Sequence, residues 1–365
     1  MKQALSDESR RDWLRLARTE GIGPVTFADL LGRFGTPGRA LENLPDLAKR
    51  VGRLNTLRLA DLDAVETELE AGAALGAQLI CNCEVNFPAP LAALDPPPPL
   101  IWARGRTDLL AGETIAIVGA RIASAAGQRF ARVLASELGE AGHVIVSGMA
   151  RGIDAAAHEG ALKTGTIAVL GGGIDDIYPP QNADLYSRLI ETGCVVSESP
   201  PGHTATARDF PRRNRIIAGL SRAVVVVEAE LRSGSLITAR LAAEQGREVL
   251  AVPGSPLDPR ARGCNDLIRQ GAALCEGLQD VLRTLEDLPG FGGVREPDRA
   301  FQPNPDLVED HVRDQIFDLL SPTPVSRDDL VRATGLPIGR INAALSELEL
   351  ADRITFAQGG AVALV

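Results

Sequence analysis

Ala223-Val224-Val225-Val226-Val227-Glu228 is the stretch that decides how this chain folds. A run of β-branched residues without polar alternation is typical of a strand that is buried on both faces, as in a parallel sheet. Five similar runs are separated by segments of helical length: Ile115–Val118, Val144–Val146, Thr166–Leu170, Cys194–Val196 and Glu248–Val252. The pattern therefore predicts an α/β fold with a doubly wound, mostly parallel sheet.

An arginine-rich segment lies immediately before the valine run. From Arg208 to Arg222 the sequence reads Arg-Asp-Phe-Pro-Arg-Arg-Asn-Arg-Ile-Ile-Ala-Gly-Leu-Ser-Arg, with five arginines in fifteen residues. The whole chain of 365 residues has a formal net charge of −10, so the cluster is a local exception in an acidic protein. Such a cluster is typical either of a solvated helix face or of a site that meets an anion. The spacing of the arginines alone does not distinguish between these two interpretations.

The predicted strands end in small and basic residues. The carboxyl ends of parallel strands meet at one edge of the sheet, and ligands of open α/β folds bind at that edge. The residues expected there are Gly119-Ala-Arg121, Ser147-Gly148-Met-Ala-Arg151-Gly152, Gly171-Gly-Gly173, Ser197-Glu-Ser199 and Pro253-Gly-Ser255. Glycines let a ligand approach the backbone, and the helix starts after Gly152 and at Ser233-Gly234-Ser235 offer N–H groups to an anion. The edge is therefore predicted to bind a polyanion.

Cofactor and metal chemistry are not indicated. The turn Gly119–Ser124 lacks the second and third glycines of the dinucleotide fingerprint, and no Gly-Lys-Ser phosphate loop follows a strand. The four histidines and five cysteines show no metal-ligand spacing. We predict no cofactor, no metal and no catalytic residue, with Asp154 as a helix charge and Glu198 as an arginine partner. The enzymatic alternative is a Rossmann-like nucleotide or nucleoside hydrolase that uses a carboxylate such as Glu198.

The N-terminal region is predicted to be helical. Apolar residues recur every three or four positions through residues 11–70, around the turn Gly21-Ile22-Gly23-Pro24. The turn resembles a helix-hairpin-helix, which binds phosphate through backbone N–H groups, but a plain helical turn capped by glycine has the same sequence. Proline cannot join a central strand, so the proline-rich stretch Phe87–Pro99 is expected to be a connector between edge strands. We predict a helical domain over residues 1–75 and the sheet domain over residues 76–285.

The C-terminal region resembles a winged helix. Residues 286–306 are rich in proline and glycine and are predicted to be a linker. Residues 307–365 contain three predicted helices, Val312–Leu320, Arg327–Ala333 and Pro337–Glu349, and a hairpin turn at Gly359-Gly360. The third helix would read DNA in a regulator, but Glu347 and Glu349 would repel phosphate there. A protein-contact or packing role is therefore favoured, and a duplex-reading regulator stays as the alternative.

The sequence contains no membrane signal. No apolar run reaches the roughly 18–20 residues that a membrane span requires, and the N-terminus has no apolar signal region. We therefore expect a cytoplasmic protein that does not enter the membrane and whose cysteines are reduced.

Five motifs in the same order resemble the DNA processing protein A family (DprA, or Smf). The motifs are Ile117–Arg121, Val146–His158, Phe210–Ser221, Arg232–Thr238 and Ala251–Gly254. The resemblance is dense over residues 80–285 and extends in outline to both ends. It implies an extended Rossmann domain that binds single-stranded DNA without sequence preference. It also implies a homodimer that promotes loading of the RecA recombinase on incoming DNA during natural transformation, with no enzymatic activity.

The resemblance and the sheet edge together predict the DNA-binding residues. Arg121 is the phosphate-gripping arginine that the resemblance implies. The predicted DNA-binding set is Gly119, Arg121, Ser147, Gly148, Arg151, Gly152, Arg208, Phe210, Arg212, Arg213, Asn214, Arg215, Ser233, Gly234 and Ser235. Many relatives have a lysine where this chain has Pro180, so that contact cannot be transferred. Aromatic residues make up only 4% of the chain, so charge is expected to dominate binding, with Phe210 stacking on a base.

Overall fold

A nine-stranded sheet forms the centre of the structure, which is a computed structural model that describes residues 5–50, 58–286, 308–357 and 360–365. Its strands are β1 (Ala77–Cys81), β2 (Leu100–Gly105), β3 (Thr114–Val118), β4 (Val144–Ser147), β5 (Thr166–Val169), β6 (Cys194–Ser197), β7 (Ala223–Val226), β8 (Glu248–Ala251) and β9 (Ala273–Leu274). Their order across the sheet is β1-β2-β6-β5-β4-β3-β7-β8-β9. The predicted α/β fold and all six predicted buried strands are confirmed.

The sheet is parallel except at one edge. Strand β3 lies at the centre of the seven parallel strands, where Ile115 is in register with Ile145 of β4 and with Ala223 of β7. Strands β1 and β2 pair antiparallel with each other, and β2 pairs antiparallel with β6. The proline-rich stretch connects β1 to β2 at this edge, as predicted. The two-residue strand β9 was not predicted, because so short a segment has no periodicity to recognise.

Helices cover both faces of the sheet. In chain order they are α5 (Ala89–Ala92), α6 (Ala125–Glu140), α7 (Ile153–Ala161), α8 (Ala183–Thr192), α9 (Asp209–Leu220), α10 (Gly234–Glu244), α11 (Arg262–Arg269) and α12 (Leu278–Glu286). Alternate strand residues face opposite sides, so Ile167 packs in the core beneath α9 and α10, whereas Ala168 packs in the core beneath α8. Helices α6, α7 and α12 complete that second face. The carboxyl ends of β3–β7 lie together at one edge.

Four N-terminal helices extend the second face over β1 and β2. They are α1 (Asp7–Arg18), α2 (Pro24–Phe34), α3 (Pro37–Arg50) and α4 (Leu62–Ala74). The indole of Trp102 in β2 donates a hydrogen bond of 2.9 Å to Glu68 of α4. A Cβ atom at Gly72 would lie only 2.1 Å from the Trp102 ring, so α4 needs glycine there to reach the sheet. The helical domain therefore shares a core with the sheet.

The C-terminal module is a winged helix, as predicted. Helices α13 (Asp310–Asp318), α14 (Arg327–Thr334) and α15 (Ile338–Leu350) pack beside a hairpin of β10 (Ile354–Phe356) and β11 (Val362–Leu364). In the predicted hairpin turn, Gly360 has a φ of 74°, and Gly359 lies outside the described residues. The predicted linker 286–306 also lies outside them, apart from Glu286, which ends α12.

The described ranges contain neither a membrane-spanning helix nor a cluster of metal ligands. None of their helices is both long enough and apolar enough to cross a membrane. Nor do those ranges contain a group of three or more histidine, cysteine, aspartate or glutamate side chains placed to hold a metal ion.

Candidate nucleic-acid interface

Two adjoining clefts lie at the carboxyl edge of the sheet. The smaller has a volume of about 270 Å³ and the larger a volume of about 740 Å³. Both are lined by Arg121, Tyr178, Phe210 and Arg213. Arg151 lines the smaller cleft, and Arg232–Ser235 line the larger. We call this continuous surface the edge groove, defined by Arg121, Arg151, Tyr178, Phe210, Arg213 and Arg232–Ser235.

The exposed arginines of the groove form no ion pair with any residue that the structure describes. Arg121, Arg151 and Arg232 are exposed, and no described carboxylate lies within salt-bridge distance of them. Arg208 and Arg212, at the start of α9, are also exposed and have no described carboxylate partner. Arg212 lines a neighbouring cleft of about 210 Å³ that leads toward α1 and α2. These arginines therefore have no ion-pair partner among the described residues, although Asp154 and Glu230 also line the larger cleft and the chain as a whole is acidic.

An aromatic pair lies in the groove beside Arg121. The rings of Tyr178 and Phe210 have centroids 5.3 Å apart and are inclined by 45°. The guanidinium carbon of Arg121 lies 5.4 Å from the Phe210 centroid, within the range of a cation–π contact. Tyr178 is 51% exposed, so one of its surfaces remains open to a ligand. The cluster combines a cation with an accessible ring, which is the combination that binds the phosphate and base of a single strand.

Arg213 is the buried arginine of the set. Its side chain is only 8% exposed, and its guanidinium donates hydrogen bonds to the carbonyl oxygens of Gly148 (2.7 Å) and Val169. Burial lowers the pKa of Arg213 to about 10, still well above neutral pH. The group therefore carries a fixed charge beneath the groove and braces the ends of β4 and β5.

Asp154 lies close to Arg213 at the start of α7. Its carboxylate accepts hydrogen bonds from the amides of Gly148 (3.2 Å) and Ala150 (3.3 Å). Burial raises the pKa of Asp154, and the charge of Arg213 opposes that rise. The predicted helix charge is therefore a buried carboxylate that organises the loop after β4.

Two other predicted site residues are bonded within the protein. Arg215 forms an ion pair of 2.5 Å with Glu198, which confirms the predicted arginine partner of that carboxylate. Ser147 is fully buried and donates a hydrogen bond of 2.6 Å to the carbonyl of Ile117, joining β4 to β3. The structure thus places both beneath the groove surface, with their polar groups engaged by protein atoms.

Three of the predicted site glycines are in close contact with protein atoms. Gly152 has a φ of 78°, and a Cβ atom there would lie 2.3 Å from the carbonyl of Ala120. A Cβ atom at Gly148 would lie 2.9 Å from the Arg213 guanidinium, and one at Gly119 would lie 2.7 Å from Ile153. These glycines permit close packing at the edge. At Gly234, by contrast, no described atom lies within 4 Å of such a Cβ atom, so its backbone is open to a ligand.

The N-terminus of α10 borders the groove. The Ser233 and Ser235 hydroxyls share a hydrogen bond of 2.7 Å, and the Ser235 amide donates to the Ser233 hydroxyl at 3.4 Å. Asn214 of α9 donates to the carbonyl of Gly234 at 3.4 Å, which ties this turn to the arginine-rich helix. The structure therefore brings Asn214 and Ser233–Ser235 to the wall of the groove that faces Arg121.

The N-terminus of α6 is occupied by a carboxylate. Glu228, just after β7, accepts hydrogen bonds from the amide of Ser124 (2.9 Å) and from its hydroxyl (2.5 Å). Dinucleotide-binding Rossmann folds hold the pyrophosphate at the corresponding helix start. In this chain, Glu228 supplies the negative charge that the helix dipole favours at that position.

Sequence reasoning omitted Tyr178 and Arg232 from the site. Tyr178 lies in the loop after β5, where no periodic pattern fixes the direction of a side chain. Arg232 stands directly before Ser233 in the motif Arg232–Thr238, and this position could have indicated that it belongs to the site. Pro180, at which the family resemblance implied a lysine, also lines the smaller cleft and adds no charge to it.

Three family models match consecutive parts of the chain. Residues 78–286 match the family described as DNA recombination-mediator protein A. Residues 7–71 match a DprA-like N-terminal helix-hairpin-helix (HHH) domain, and residues 299–360 match a DprA winged helix domain.

Individual relatives agree with these matches. The chain is 32% identical to Protein Smf of Synechocystis over 390 residues, covering 95% of this chain and 96% of the relative. It is 42% identical to Protein Smf of Escherichia coli over 290 residues, covering 76% and 75%. The structure of DNA processing protein A from Streptococcus pneumoniae aligns with a TM-score of 0.63 at 33% identity, covering 78% of this chain and 98% of that one.

A second solved structure is similar to part of the chain. It is described as showing the single-stranded DNA binding mode of DNA processing protein A from Helicobacter pylori. It aligns with a TM-score of 0.53 at 31% identity and covers 57% of this chain and 95% of that one.

Proposed function

The chain belongs to the DNA recombination-mediator protein A family, and we propose that it binds single-stranded DNA in the edge groove without sequence preference. The observation that carries this proposal is the combination, at one sheet edge, of an open aromatic ring with exposed arginines that pair with no carboxylate in the described part of the chain. Arg121, Arg151 and Arg232 bind phosphates, and the exposed face of Tyr178 stacks against a base. Arg213 adds a fixed positive charge below the strand.

The groove favours a single strand over a duplex. Bases in a single strand can turn away from their neighbours and stack on a side chain, whereas bases in a duplex are already stacked and paired. Arginine contacts to phosphate carry no base information, and every base has a face that can stack. The single-stranded DNA binding mode described for the Helicobacter pylori relative supports this proposal.

The protein acts by binding and not by catalysis in this proposal. The carboxylate of Glu198 is held by Arg215, and Asp154 is buried under the loop after β4. His158 is fully buried and bonds to the Thr166 hydroxyl at 2.7 Å, and burial lowers its pKa to about 3. These acid and base candidates are thus engaged in contacts within the protein, and the proposal assigns none of them a catalytic role.

The biological setting follows from the family resemblance. We propose that the protein forms a homodimer and promotes RecA loading on incoming single strands during natural transformation. Sedimentation equilibrium tests the dimer, with a monomer at micromolar concentration as the contrary result. RecA filament nucleation on a coated single strand tests loading, and a nucleation rate that the protein leaves unchanged would contradict it.

A crosslink map tests the binding site. A single-stranded oligonucleotide that carries bromodeoxyuridine at every third position is irradiated with the full chain, and the adducts are located by peptide mass spectrometry. We expect adducts on the peptides that contain Tyr178 and Phe210. Adducts confined to residues 307–365 would instead support a DNA-reading C-terminal module and would contradict the groove assignment.

A further inference from the structure

Helix α15, the third helix of the C-terminal module, is buried on two sides. On one side, Ile341, Leu345 and Leu348 pack in the core of the module itself. On another side, the helix packs against α2 of the helical domain, and Leu350 joins the core of that domain. In DNA-reading helix-turn-helix modules, the corresponding helix presents a free face to the major groove. In this structure, a second side of α15 is occupied by α2.

The contact with α2 contains matched buried charges. Arg33 of α2 is 6% exposed and forms an ion pair of 3.2 Å with Glu347, which is 1% exposed. Arg33 also donates to the carbonyl of Ala343 at 2.6 Å and pairs with Asp29 at 2.8 Å. Arg313 of α13 approaches Glu347 from the module at 3.5 Å. Both carboxylates therefore have a cationic partner in a largely buried position, beside a cleft of about 650 Å³ that Asp29 and Arg33 also line.

The second acid of α15 meets the start of α2. Glu349 accepts hydrogen bonds from the Thr26 hydroxyl and from the backbone of Gly23. A Cβ atom at Gly23 would lie 2.9 Å from the Glu349 carboxylate, so the turn Gly21–Gly23 is covered by this side chain. The turn that the sequence suggested for phosphate is thus engaged by an acid of the chain itself.

Other contacts attach the module to the rest of the molecule. Arg327 of α14 pairs with Asp95 of the proline-rich connector at 2.9 Å. Arg50 of α3 donates to the carbonyl of Val308 at 3.1 Å. The module therefore touches both the helical domain and the sheet domain, and the α15 contact does not stand alone.

We propose that α15 is a protein-docking helix whose acidic face fits the α2 face bearing Gly23, Thr26 and Arg33, so that the C-terminal module fixes the helical domain and does not read duplex DNA. We call this contact the α2–α15 clamp. The side of α15 that meets α2 carries Glu347 and Glu349, which repel phosphate but suit an arginine and a hydroxyl. The partner that fits the helix is thus a protein surface that offers an arginine and a hydroxyl, and α2 supplies both in Arg33 and Thr26.

A buried thiol can report whether the clamp is closed. Ser346 is 1% exposed, and its hydroxyl contacts Asp29 of α2, so Ser346→Cys places a thiol inside the clamp. Of the five native cysteines, four are buried, and Cys83→Ser removes the partly exposed one. The reaction rate of this full-length clamp reporter with a maleimide dye then measures opening. A second protein, the core reporter Ala344→Cys, carries its thiol in the core of the module and labels only when the module itself unfolds.

The test compares two arginine substitutions in these reporters. Arg33→Ala leaves the buried Glu347 short of a partner, so we expect labelling of the clamp reporter to accelerate by roughly 10- to 100-fold while labelling of the core reporter stays slow. Arg332→Ala removes an exposed arginine of α14 that pairs with Asp329, and it should change neither rate. Equal labelling rates of the clamp reporter in the two variants, or its rapid labelling when Arg33 is present, would overturn the proposal.

Two further measurements cover folding and DNA reading. Thr26→Val removes one hydroxyl at nearly constant volume and keeps Arg33, so it tests the clamp even if Arg33→Ala disturbs the helical domain. We expect Thr26→Val to accelerate labelling of the clamp reporter by roughly three- to tenfold. Duplex affinity should be the same for wild type and Arg33→Ala. A tenfold gain in duplex affinity on opening would show that α15 reads DNA when released, and would overturn its assignment as a protein-docking helix.

Discussion

The edge groove and the α2–α15 clamp both use arginine, and they use it in opposite ways. In the groove, Arg121 and Arg151 are exposed and have no described carboxylate partner. In the clamp, Arg33 is buried and is met by Asp29 and Glu347. An exposed arginine without a carboxylate partner creates a positive potential that attracts a polyanion. In a buried ion pair the two charges offset each other, so little positive potential remains to attract a ligand. The environment of the arginine therefore decides between ligand binding and domain attachment.

The largest expected difference between a buried and an exposed arginine involves two adjacent residues of α9. Arg213 is buried against two carbonyl oxygens and near Asp154, whereas Arg212 is exposed. Arg213→Ala would leave the buried Asp154 without a compensating charge, so we expect the free energy of unfolding to fall by about 3–5 kcal/mol. Arg212→Ala should change it by less than about 0.5 kcal/mol. Urea denaturation of both variants measures this difference, and similar losses in the two would show that Arg213 is not a brace.

The next largest effect concerns the pH dependence of the clamp. Burial raises the pKa of Glu349 from its ordinary value of 4.5 to about 7, so docking favours the protonated carboxyl. Its contribution to docking is therefore full below about pH 4.5 and is lost as the pH rises through 7. We expect the clamp to lose about 2 kcal/mol between pH 5 and pH 8.

The difference in unfolding free energy between wild type and Glu349→Gln, measured as a function of pH, reports the contribution of the Glu349 carboxyl. The neighbouring Asp29 also has its pKa raised by burial, but it is present in both proteins and cancels, as do Arg33, Glu347 and Arg313. Calorimetric unfolding across the pH range measures the difference. A wild-type curve parallel to that of Glu349→Gln would mean that the carboxyl does not change protonation on docking.

A smaller effect separates stacking from charge within the groove. Tyr178→Ala removes the exposed ring but no charge, so single-strand affinity should fall by about 1–2 kcal/mol while its salt dependence is unchanged. The matched control is Tyr186→Phe, because Tyr186 is buried and its hydroxyl bonds to the carbonyl of Ile174. Fluorescence anisotropy gives both affinities. An altered salt slope in Tyr178→Ala would argue that the ring acts by positioning an arginine.

The sequence predicts the sheet well because its strands are buried on both faces. Valine and isoleucine runs such as Ala223–Val227 leave few other solutions, and the helical lengths between them require crossovers. It was harder to predict which arginines of α9 are buried and which are exposed, although the sequence contains a pattern that bears on this. Arg213 precedes Ile216, Ile217 and Leu220 by three, four and seven residues, which is the spacing of one helix face. That pattern assigns Arg213 to the buried face.

Contacts between distant parts of the chain could not be predicted in this way. Glu347 and Arg33 are 314 residues apart, and no local pattern links them. The acidic character of α15 favoured a protein contact or packing over DNA reading, but it did not identify α2 as the partner. Likewise, the position of Tyr178 beside Phe210 depends on the path of a loop, which hydrophobic periodicity does not describe. Partner choice in such cases is decided by tertiary packing.

The most direct test of the central claim is the salt dependence of single-strand binding by Arg121→Gln. Each phosphate contact that is lost lowers the slope of log affinity against log salt by roughly 0.7 for a single strand. The control is Arg132→Gln, because Arg132 of α6 is also exposed but forms an ion pair of 2.5 Å with Glu159. We predict that the slope falls by about 0.7 in Arg121→Gln and is unchanged in Arg132→Gln. A folded Arg121→Gln protein with the affinity and slope of wild type would contradict the assignment of the edge groove.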